Sequence, residues 1–348
     1  MPNRLFRLFV ALAVGFGASA SALAQQKFEI KVAEFVGAQH FMTKWLVKWG
    51  EGLEKASNGR FVVKHFPGAQ MGPVPVHYDL ARDGRAEVSW FLHGATPGRV
   101  PLTELIQLPY LVGSAEIGTK VLNDAELRAK YLDPEHRGLK VLLLLTHQPG
   151  QIHTVTKPVR TADDLKGLRI RPASSTIREF VAALGGTPVG IPPNEQVEQM
   201  QKGTLDGTFI DYGGAGIAFK MGGVLKYTTE MYSYVSSFGV AMNPAFYSKL
   251  PADLRKIVDD SVKGVEKEVG EGWDALDGIG KKLIVEGGAE IIKLPPAEDA
   301  RFRKIGDQVT EAKLKELEGK GLPARNVYAM MKSLSEKHAK TSRNFWNN

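Results

Sequence analysis

The sequence predicts a two-lobed α/β protein in which each lobe is a mixed sheet flanked by helices and the lobes close like a clamshell. Three observations support this fold class. The chain has 348 residues, a comfortable length for two domains. Strand-like and helix-like segments alternate over residues 28–146 and again over 151–210. A later apolar segment, 232–242, is predicted to return to the first lobe, which gives two crossings between the lobes.

The first lobe begins with a βαβαβ pattern. Residues 28–32 alternate apolar and polar side chains, as a half-buried strand does. Residues 39–57 repeat apolar side chains at helical spacing. A strand over 60–66, a short helix over 76–82 and a strand over 87–92 follow. This succession favours a mostly parallel sheet with helices on its faces.

The rest of the first lobe leads to the first crossing. A helix is predicted over 115–132, and the almost wholly apolar residues 140–146 are typical of a strand buried on both faces. Pro149-Gly150 breaks this strand and marks the crossing. Because ligands in open α/β sheets bind outside the carboxyl ends of strands, we expect the functional site in the cleft between the lobes.

The second lobe repeats the alternation, and the C-terminal part is mainly helical. Its predicted strands are 151–155, 168–171, 187–191 and 205–210, and its predicted helices are 162–165, 176–184 and 194–202. A long helix that glycines bend is predicted over 251–285, a strand over 289–294 and helices from 297. The predicted division is 25–148 for lobe I, completed by 238–276 and 300–348, and 149–237 for lobe II, completed by 277–299.

The N-terminal residues 1–24 are predicted to be a secretory signal peptide. Arg4 and Arg7 precede the short apolar run 8–16, and Ala22-Leu23-Ala24 forms a cleavage site. We expect cleavage after Ala24 and a soluble mature protein in the periplasm; the alternative is a membrane anchor. Removing the segment takes away two arginines and no acids, which lowers the formal net charge from +7 to +5.

Composition and motifs argue against several classes of protein. The chain has no cysteine, which excludes disulfides, thiol nucleophiles and cysteine metal sites. Its basic residues are scattered, so no nucleic-acid partner is expected. Gly-x-Ser-x-Gly, Walker and His-Glu-x-x-His motifs are absent, and the glycine-rich residues 213–216 lack a following Lys-Ser/Thr. No cofactor and no metal site are expected, although a metal bridged by a ligand stays open.

Ordered short motifs cover most of the chain after residue 24. They are Asn58-Gly59-Arg60, Gln70-Met71-Gly72, Leu108-Pro109-Tyr110, Gly150, Pro158-Val159, Asp164-Leu165-Lys166-Gly167-Leu168-Arg169-Ile170-Arg171, Leu184-Gly185, Pro188, Glu195, Gln201-Lys202-Gly203 and Leu205-Asp206-Gly207. In these motifs the chain resembles the periplasmic solute receptors of TRAP transporters. The resemblance implies a periplasmic-binding-protein clamshell with a long helix crossing both lobes and no catalysis. It also implies capture of a small organic carboxylate, delivery to TRAP membrane permease subunits, and a monomer.

Two alternatives to transport stay open at this stage. A periplasmic sensor or scavenger would bind the same ligand without a permease, and genes for membrane subunits beside this one would separate the two. A periplasmic enzyme acting on carboxylates would need a nucleophile and base that the sequence does not reveal.

Arg171 matches the carboxylate-binding arginine of the family. A guanidinium suits this role because its fork donates two parallel hydrogen bonds and keeps its charge. The alternative is a structural salt bridge. Arg169 lies two residues earlier and points to the opposite face of a strand, so we expect it to be structural.

Three departures from the family pattern indicate the kind of ligand. Many members have a second arginine where this chain has Gln151, an asparagine where it has Ile210, and a tyrosine where it has Val197. The site is therefore expected to have less charge and more apolar surface. We expect a monocarboxylate with an aromatic or apolar body rather than a sugar acid or a dicarboxylate.

Three aromatic residues near strand ends could stack on a ligand ring. They are Phe35 after the first strand, Trp90 in the third, and Phe209 in the strand before the glycine-rich segment. Core packing is the alternative for each.

Four further polar residues are candidates, besides Gln151, for contact with the ligand. His153 could donate to the carboxylate or be a structural histidine. Ser174 could contact the anion or cap the next helix. Asp211 could accept from a ligand hydroxyl or cap a helix, and Tyr212 lies beside it.

Overall fold

The structure is a computed structural model that describes residues 26–347. These residues form two α/β lobes, each built on its own sheet, as the sequence predicts. The predicted signal peptide, 1–24, lies outside the described residues. None of the helices in 26–347 has the length and apolar character that a membrane crossing requires.

The sheet of lobe I has five strands in the order β2-β1-β3-β10-β4. They are β1 Phe28–Ala33, β2 Phe61–Phe66, β3 Val88–Leu92, β4 Lys140–Thr146 and β10 Ser237–Met242. β1 pairs in parallel with β2 and β3, whereas β10 inserts antiparallel between β3 and β4. The strand that returns from lobe II therefore makes this sheet mixed.

The sheet of lobe II has six strands in the order β11-β9-β5-β8-β6-β7. They are β5 Gln151–Thr154, β6 Arg169–Arg171, β7 Thr187–Pro188, β8 Gly207–Ile210, β9 Tyr227–Glu230 and β11 Glu290–Lys293. The sequence prediction missed β9 and expected one strand over 232–242. Instead, residues 231–236 form the crossing between β9 in lobe II and β10 in lobe I.

Helices cover the faces of both sheets. They are α1 Phe41–Ala56, α2 His77–Arg82, α3 Ala115–Leu122, α4 Ala125–Leu127, α5 Asp133–Glu135, α6 Ser175–Ala183, α7 Gln196–Gln201, α8 Pro244–Lys249, α9 Ala252–Asp260, α10 Glu266–Glu286, α11 Pro296–Gly319 and α12 Ala324–His338. Short 3₁₀ turns occur at Val74–Val76, His93–Ala95, Thr103–Gln107, Ala162–Leu165 and Phe345–Asn347, and π turns at Arg128–Leu132 and Gly214–Ala218.

The helix predicted over 115–132 is interrupted after α3. The amide of Asn123 donates to the carbonyl of Leu144 in β4, and the carboxylate of Asp124 accepts from the N–H groups that open α4. These side-chain contacts compete with a continuous helix at this position.

The long helix α10 packs on both lobes. The predicted helix over 251–285 breaks at Gly264, whose φ of 71° is left-handed, and then continues without interruption as α10. A Cβ at Gly270 would lie 2.3 Å from Cα of Glu116 in lobe I, and one at Gly280 would lie 2.0 Å from the carbonyl oxygen of Tyr212. These glycines therefore allow close contact with both lobes.

A second helix also joins the lobes. Phe302 and Val309, in the first part of α11, belong to the core of lobe II, whereas Leu314 and Leu317 belong to that of lobe I. The division predicted at residues 299 and 300 falls inside this helix. The two lobes are thus connected by the crossings of the chain and by the helices α10 and α11, each of which packs on both lobes.

Candidate ligand-binding site

A cavity of about 530 Å³ lies between the lobes, where the ends of β3, β6 and β8 meet. The lobes touch beside it, since a Cβ at Gly94 of lobe I would lie 2.8 Å from the carbonyl oxygen of Ala173 in lobe II. The cavity therefore lies where the topology predicts a ligand site.

Lobe I and the long helix supply an aromatic wall. Phe35 follows β1, Trp90 lies in β3, Phe238 in β10 and Trp273 in α10, and all four line the cavity. Ring centroids are 4.3 Å apart for Phe35 and Trp90, and 5.6 Å apart for the stacked Phe238 and Trp273. This aromatic wall offers extensive apolar contact to a flat ligand.

Arg171 lies at the end of β6 and lines the same cavity from lobe II. The residue is 6% exposed, and its Nε donates to the carbonyl oxygen of Ile191 at 3.3 Å. Among residues 26–347, its terminal nitrogens have no hydrogen-bond partner, and no carboxylate lies within salt-bridge distance. Burial lowers the pKa of Arg171, but an arginine stays protonated in proteins. A buried guanidinium without a counter-ion is energetically costly, and an anion in the cavity would reduce that cost.

Arg169 gives a direct contrast within the same strand. Its Nε and Nη2 donate to the two carboxylate oxygens of Asp206 at 2.8 and 2.7 Å, and its side chain is partly exposed. The alternation along β6 thus directs one arginine to a structural pair and the other to the cavity.

Tyr234 and Asp211 add polar groups beside Arg171. Tyr234 lies in the crossing 231–236, is 1% exposed, and has a hydroxyl without a partner in the described part of the chain. Burial raises the pKa of Tyr234; the positive charge of Arg171 opposes this shift and the negative charge of Asp211 adds to it. Tyr234 is therefore a protonated donor close to both charges.

The two histidines that line the cavity are neutral. His40 accepts the N–H of Met42 on Nδ1 at 3.1 Å, which caps α1, and burial lowers the pKa of His40 to about 4. Nε2 of His147 accepts the N–H of Ser236 at 3.0 Å, so that nitrogen carries no proton. Arg171 is consequently the one positive charge among the described residues that line this cavity.

The model of bacterial extracellular solute-binding protein family 7 (DctP) matches residues 32–316. The chain belongs to this family. Among its curated relatives, the C4-dicarboxylate-binding periplasmic protein DctP of Rhodobacter capsulatus is 27% identical over 274 residues, which are 78% of this chain and 79% of the relative.

Two solved structures are similar to the receptor over nearly their whole length. A TRAP solute-binding protein from Rhodoferax ferrireducens T118, in complex with copurified benzoate, has a TM-score of 0.85 and 28% identity and covers 91% of this chain and 100% of its own. A marine metagenome TRAP solute-binding protein specific for aromatic acid ligands, in complex with metahydroxyphenylacetate, has the same TM-score and identity and covers 89% and 99%. Family and structures confirm the predictions of a TRAP periplasmic receptor and of a binding protein rather than an enzyme.

Five of the residues predicted for the receptor's site lie at or beside the cavity. Phe35, Trp90, Arg171 and Asp211 line it. Ser174 caps α6 by accepting the N–H of Ile177 at 3.4 Å, and it lines a neighbouring cleft that continues from Arg171.

The other four predicted residues lie outside the cavity lining. Oε1 of Gln151 accepts the backbone N–H groups that follow β9, at 2.7 and 2.9 Å. His153 contacts Thr228 in β9 and the carbonyl of Ile210 in β8, and burial lowers its pKa to about 4. Phe209 packs in the core of lobe II. Tyr212 donates its hydroxyl to a carboxylate oxygen of Glu230 at 3.1 Å. All four side chains are therefore engaged in hydrogen bonds or core packing within lobe II.

Sequence reasoning did not find several residues that line the cavity. They are His40, His147, Tyr234, Phe238 and Trp273. One signal was available for two of them: Tyr234 and Phe238 fall in the segment predicted to cross between the lobes, and crossing segments border the cleft. Residues 26–347 contain no cluster of three or more His, Cys, Asp or Glu side chains that could hold a metal.

Proposed function

We propose that this receptor captures a monocarboxylate with an aromatic or apolar body, holds the carboxylate with Arg171 and delivers the ligand to a TRAP membrane permease. One observation carries the proposal: a buried arginine that has no counter-ion among residues 26–347 lines the same cavity as an aromatic wall. A carboxylate would accept two parallel hydrogen bonds from the guanidinium. The rest of the ligand would lie against Phe35, Trp90 and Trp273.

The charge inside the cavity favours one carboxylate over two. A dicarboxylate would need a second cation, and the described lining residues offer no lysine and no other arginine. The remaining ionisable groups are the neutral His40 and His147, the protonated Tyr234 and the acidic Asp211. A second carboxylate would therefore be buried without compensation, which is strongly unfavourable. We infer that the ligand differs from the one named for the Rhodobacter capsulatus relative.

The aromatic preference has support from the wall and from similar structures. An aromatic pair contributes about 0.5–1.5 kcal/mol beyond the burial of apolar area. Ile210, which replaces an asparagine frequent in the family, lines the cavity and adds apolar surface. The two similar structures contain benzoate and metahydroxyphenylacetate.

Export and delivery complete the proposal. Residues 1–24 would direct the chain to the periplasm and be cleaved after Ala24. Genes for small and large TRAP membrane subunits beside this gene would support delivery to a permease, and their absence would favour a sensor or scavenger.

A ligand screen with the mature chain tests the binding proposal. A ligand that binds the folded state raises the apparent melting temperature by mass action. We expect benzoate, phenylacetate and their derivatives to raise it, and calorimetry to show one site per chain. Stabilisation by succinate, malate or glucuronate alone would overturn the proposal, as would chemical turnover of any ligand.

A further inference from the structure

Asp211 is a buried residue that lines the cavity, and one of its carboxylate oxygens has no hydrogen-bond donor within residues 26–347. The residue is 3% exposed and follows β8 directly. Oδ2 accepts the N–H of Gly214 at 2.7 Å, which caps the π turn at Gly214–Ala218. Among residues 26–347, Oδ1 has no such partner. The nearest titratable nitrogen, Nδ1 of His147, is 3.8 Å away and faces the carbonyl oxygen of Gln148 instead.

A carboxylate oxygen without a donor is unfavourable in a residue that is only 3% exposed. An unpaired buried polar group loses its interactions with water, and the loss is greater for a charged group. Arg171 lines the same cavity and could have paired with Asp211, yet the two are not within salt-bridge distance. Tyr234, whose titration responds to both charges, lies within the electrostatic range of each. The cavity therefore keeps a donor-only group and an acceptor-only group apart.

We propose that Asp211 selects ligands that carry a hydroxyl group in addition to the carboxylate, which makes the ligand a hydroxy-substituted aromatic acid. The inference rests on the proposed function, in which Arg171 holds the carboxylate. The ligand hydroxyl donates a hydrogen bond to Oδ1 of Asp211. An ammonium group fits less well because it has three protons to donate and Asp211 offers one free oxygen. An unsubstituted ring leaves Oδ1 unpaired on closure.

Matched ligand pairs that differ by one hydroxyl test this assignment. Calorimetry on the mature chain would compare benzoate with 3-hydroxybenzoate, and phenylacetate with mandelate. Because a hydrogen bond to a charged group is stronger than a neutral one, we expect the hydroxylated member of at least one pair to bind about tenfold or more tightly. The Asp211→Asn variant keeps an oxygen that can cap Gly214 but replaces the other acceptor with a donor. In this variant the affinity ratio of that pair should fall below about threefold.

The control is Asp274→Asn on α10. Asp274 is equally buried but accepts the N–H groups of Ala115 and Glu116 and does not line the cavity. The Asp274→Asn variant should therefore show the same affinity ratio within each ligand pair as the unmodified receptor. Equal affinities within both pairs, or an unchanged ratio in Asp211→Asn, would overturn this inference alone. Tighter binding of phenylglycine than of mandelate would overturn the choice of a hydroxyl. If neither member of either pair binds, the proposed function fails as well.

Discussion

Replacing Arg171 with methionine separates ligand binding from folding. Methionine has a similar length but no charge and no donors, so it removes the proposed contact while filling much of the same space. Truncating one partner of a buried, hydrogen-bonded charge pair costs about 2–5 kcal/mol. At about 1.4 kcal/mol per factor of ten, Kd for benzoate should rise roughly 30- to 4,000-fold.

The same substitution should leave folding almost unaffected when no ligand is present. In the described part of the chain, the side chain of Arg171 makes one hydrogen bond, to the carbonyl of Ile191, and no ion pair. Removing a buried charge that lacks a partner offsets the loss of that bond. We expect the free energy of unfolding to change by less than about 1 kcal/mol, which lies within the range of mild substitutions.

Arg169→Met is the matched control on the same strand. It removes the two-bond contact with Asp206 and should lower the free energy of unfolding, but it should keep Kd within threefold. Calorimetry with benzoate and urea denaturation without ligand measure the two quantities for both variants. The reasoning is refuted if Arg171→Met binds benzoate within threefold of the unmodified receptor, or if Arg169→Met loses affinity to the same extent.

Two further predictions concern folding. Gly280→Ala places a Cβ 2.0 Å from the carbonyl oxygen of Tyr212, so urea denaturation should show a loss of about 1–3 kcal/mol. Gly278→Ala, whose Cβ would meet nothing within 4 Å, should be neutral or stabilising by up to about 1 kcal/mol, and similar losses in both would contradict the close-contact explanation. His153 has a folded pKa of about 4, below its ordinary 6.5, so its contribution is complete above pH 6.5 and is lost as pH falls towards 4. It amounts to about 3 kcal/mol at 1.36 kcal/mol per pKa unit, and His153→Gln should flatten the pH dependence of unfolding in that window.

The sequence predicted the features of the fold and site that depend on local patterns. Short apolar or alternating segments located the five strands of the first sheet, although β10 begins five residues later than expected. The two-residue period of a strand separated Arg171 from Arg169. In the structure Arg169 forms an ion pair, whereas Arg171 forms none within residues 26–347. Position near a strand end also predicted Phe35 and Trp90, which line the cavity in the structure, and their contact with a ligand stays a prediction.

The missed strand β9 explains why Gln151 and His153 appeared free to contact a ligand. Residues 227–230 read Tyr-Thr-Thr-Glu and follow a glycine-rich segment, so no apolar pattern marks them as a strand. In the structure β9 lies beside β5, and its residues and the backbone after it bond to both side chains. A side chain in a central strand can be assigned only when its neighbours in the sheet are known.

Trp273 shows a second limit of sequence-based prediction, which is that contacts between residues far apart in the chain are not visible in a local pattern. It belongs to an amphipathic helix whose apolar face predicts burial but does not say against what. It reaches the cavity because α10 packs on lobe I at Gly270 and on lobe II at Gly280, so the helical turn between these contacts borders the cleft. Only the packing of both lobes on one helix brings this ring near Phe238, more than 30 positions away.

This arrangement has a consequence for how binding and closure are linked. In the proposed site, Arg171 of lobe II holds the carboxylate, whereas Trp90 of lobe I and Trp273 of the connecting helix cover the ring. A ligand with a carboxylate but no ring would bind Arg171 in lobe II but would make no contact with the aromatic wall. A ring without a carboxylate would leave the buried guanidinium uncompensated. We therefore expect the contributions of the carboxylate and of the ring to the free energy of binding to be non-additive.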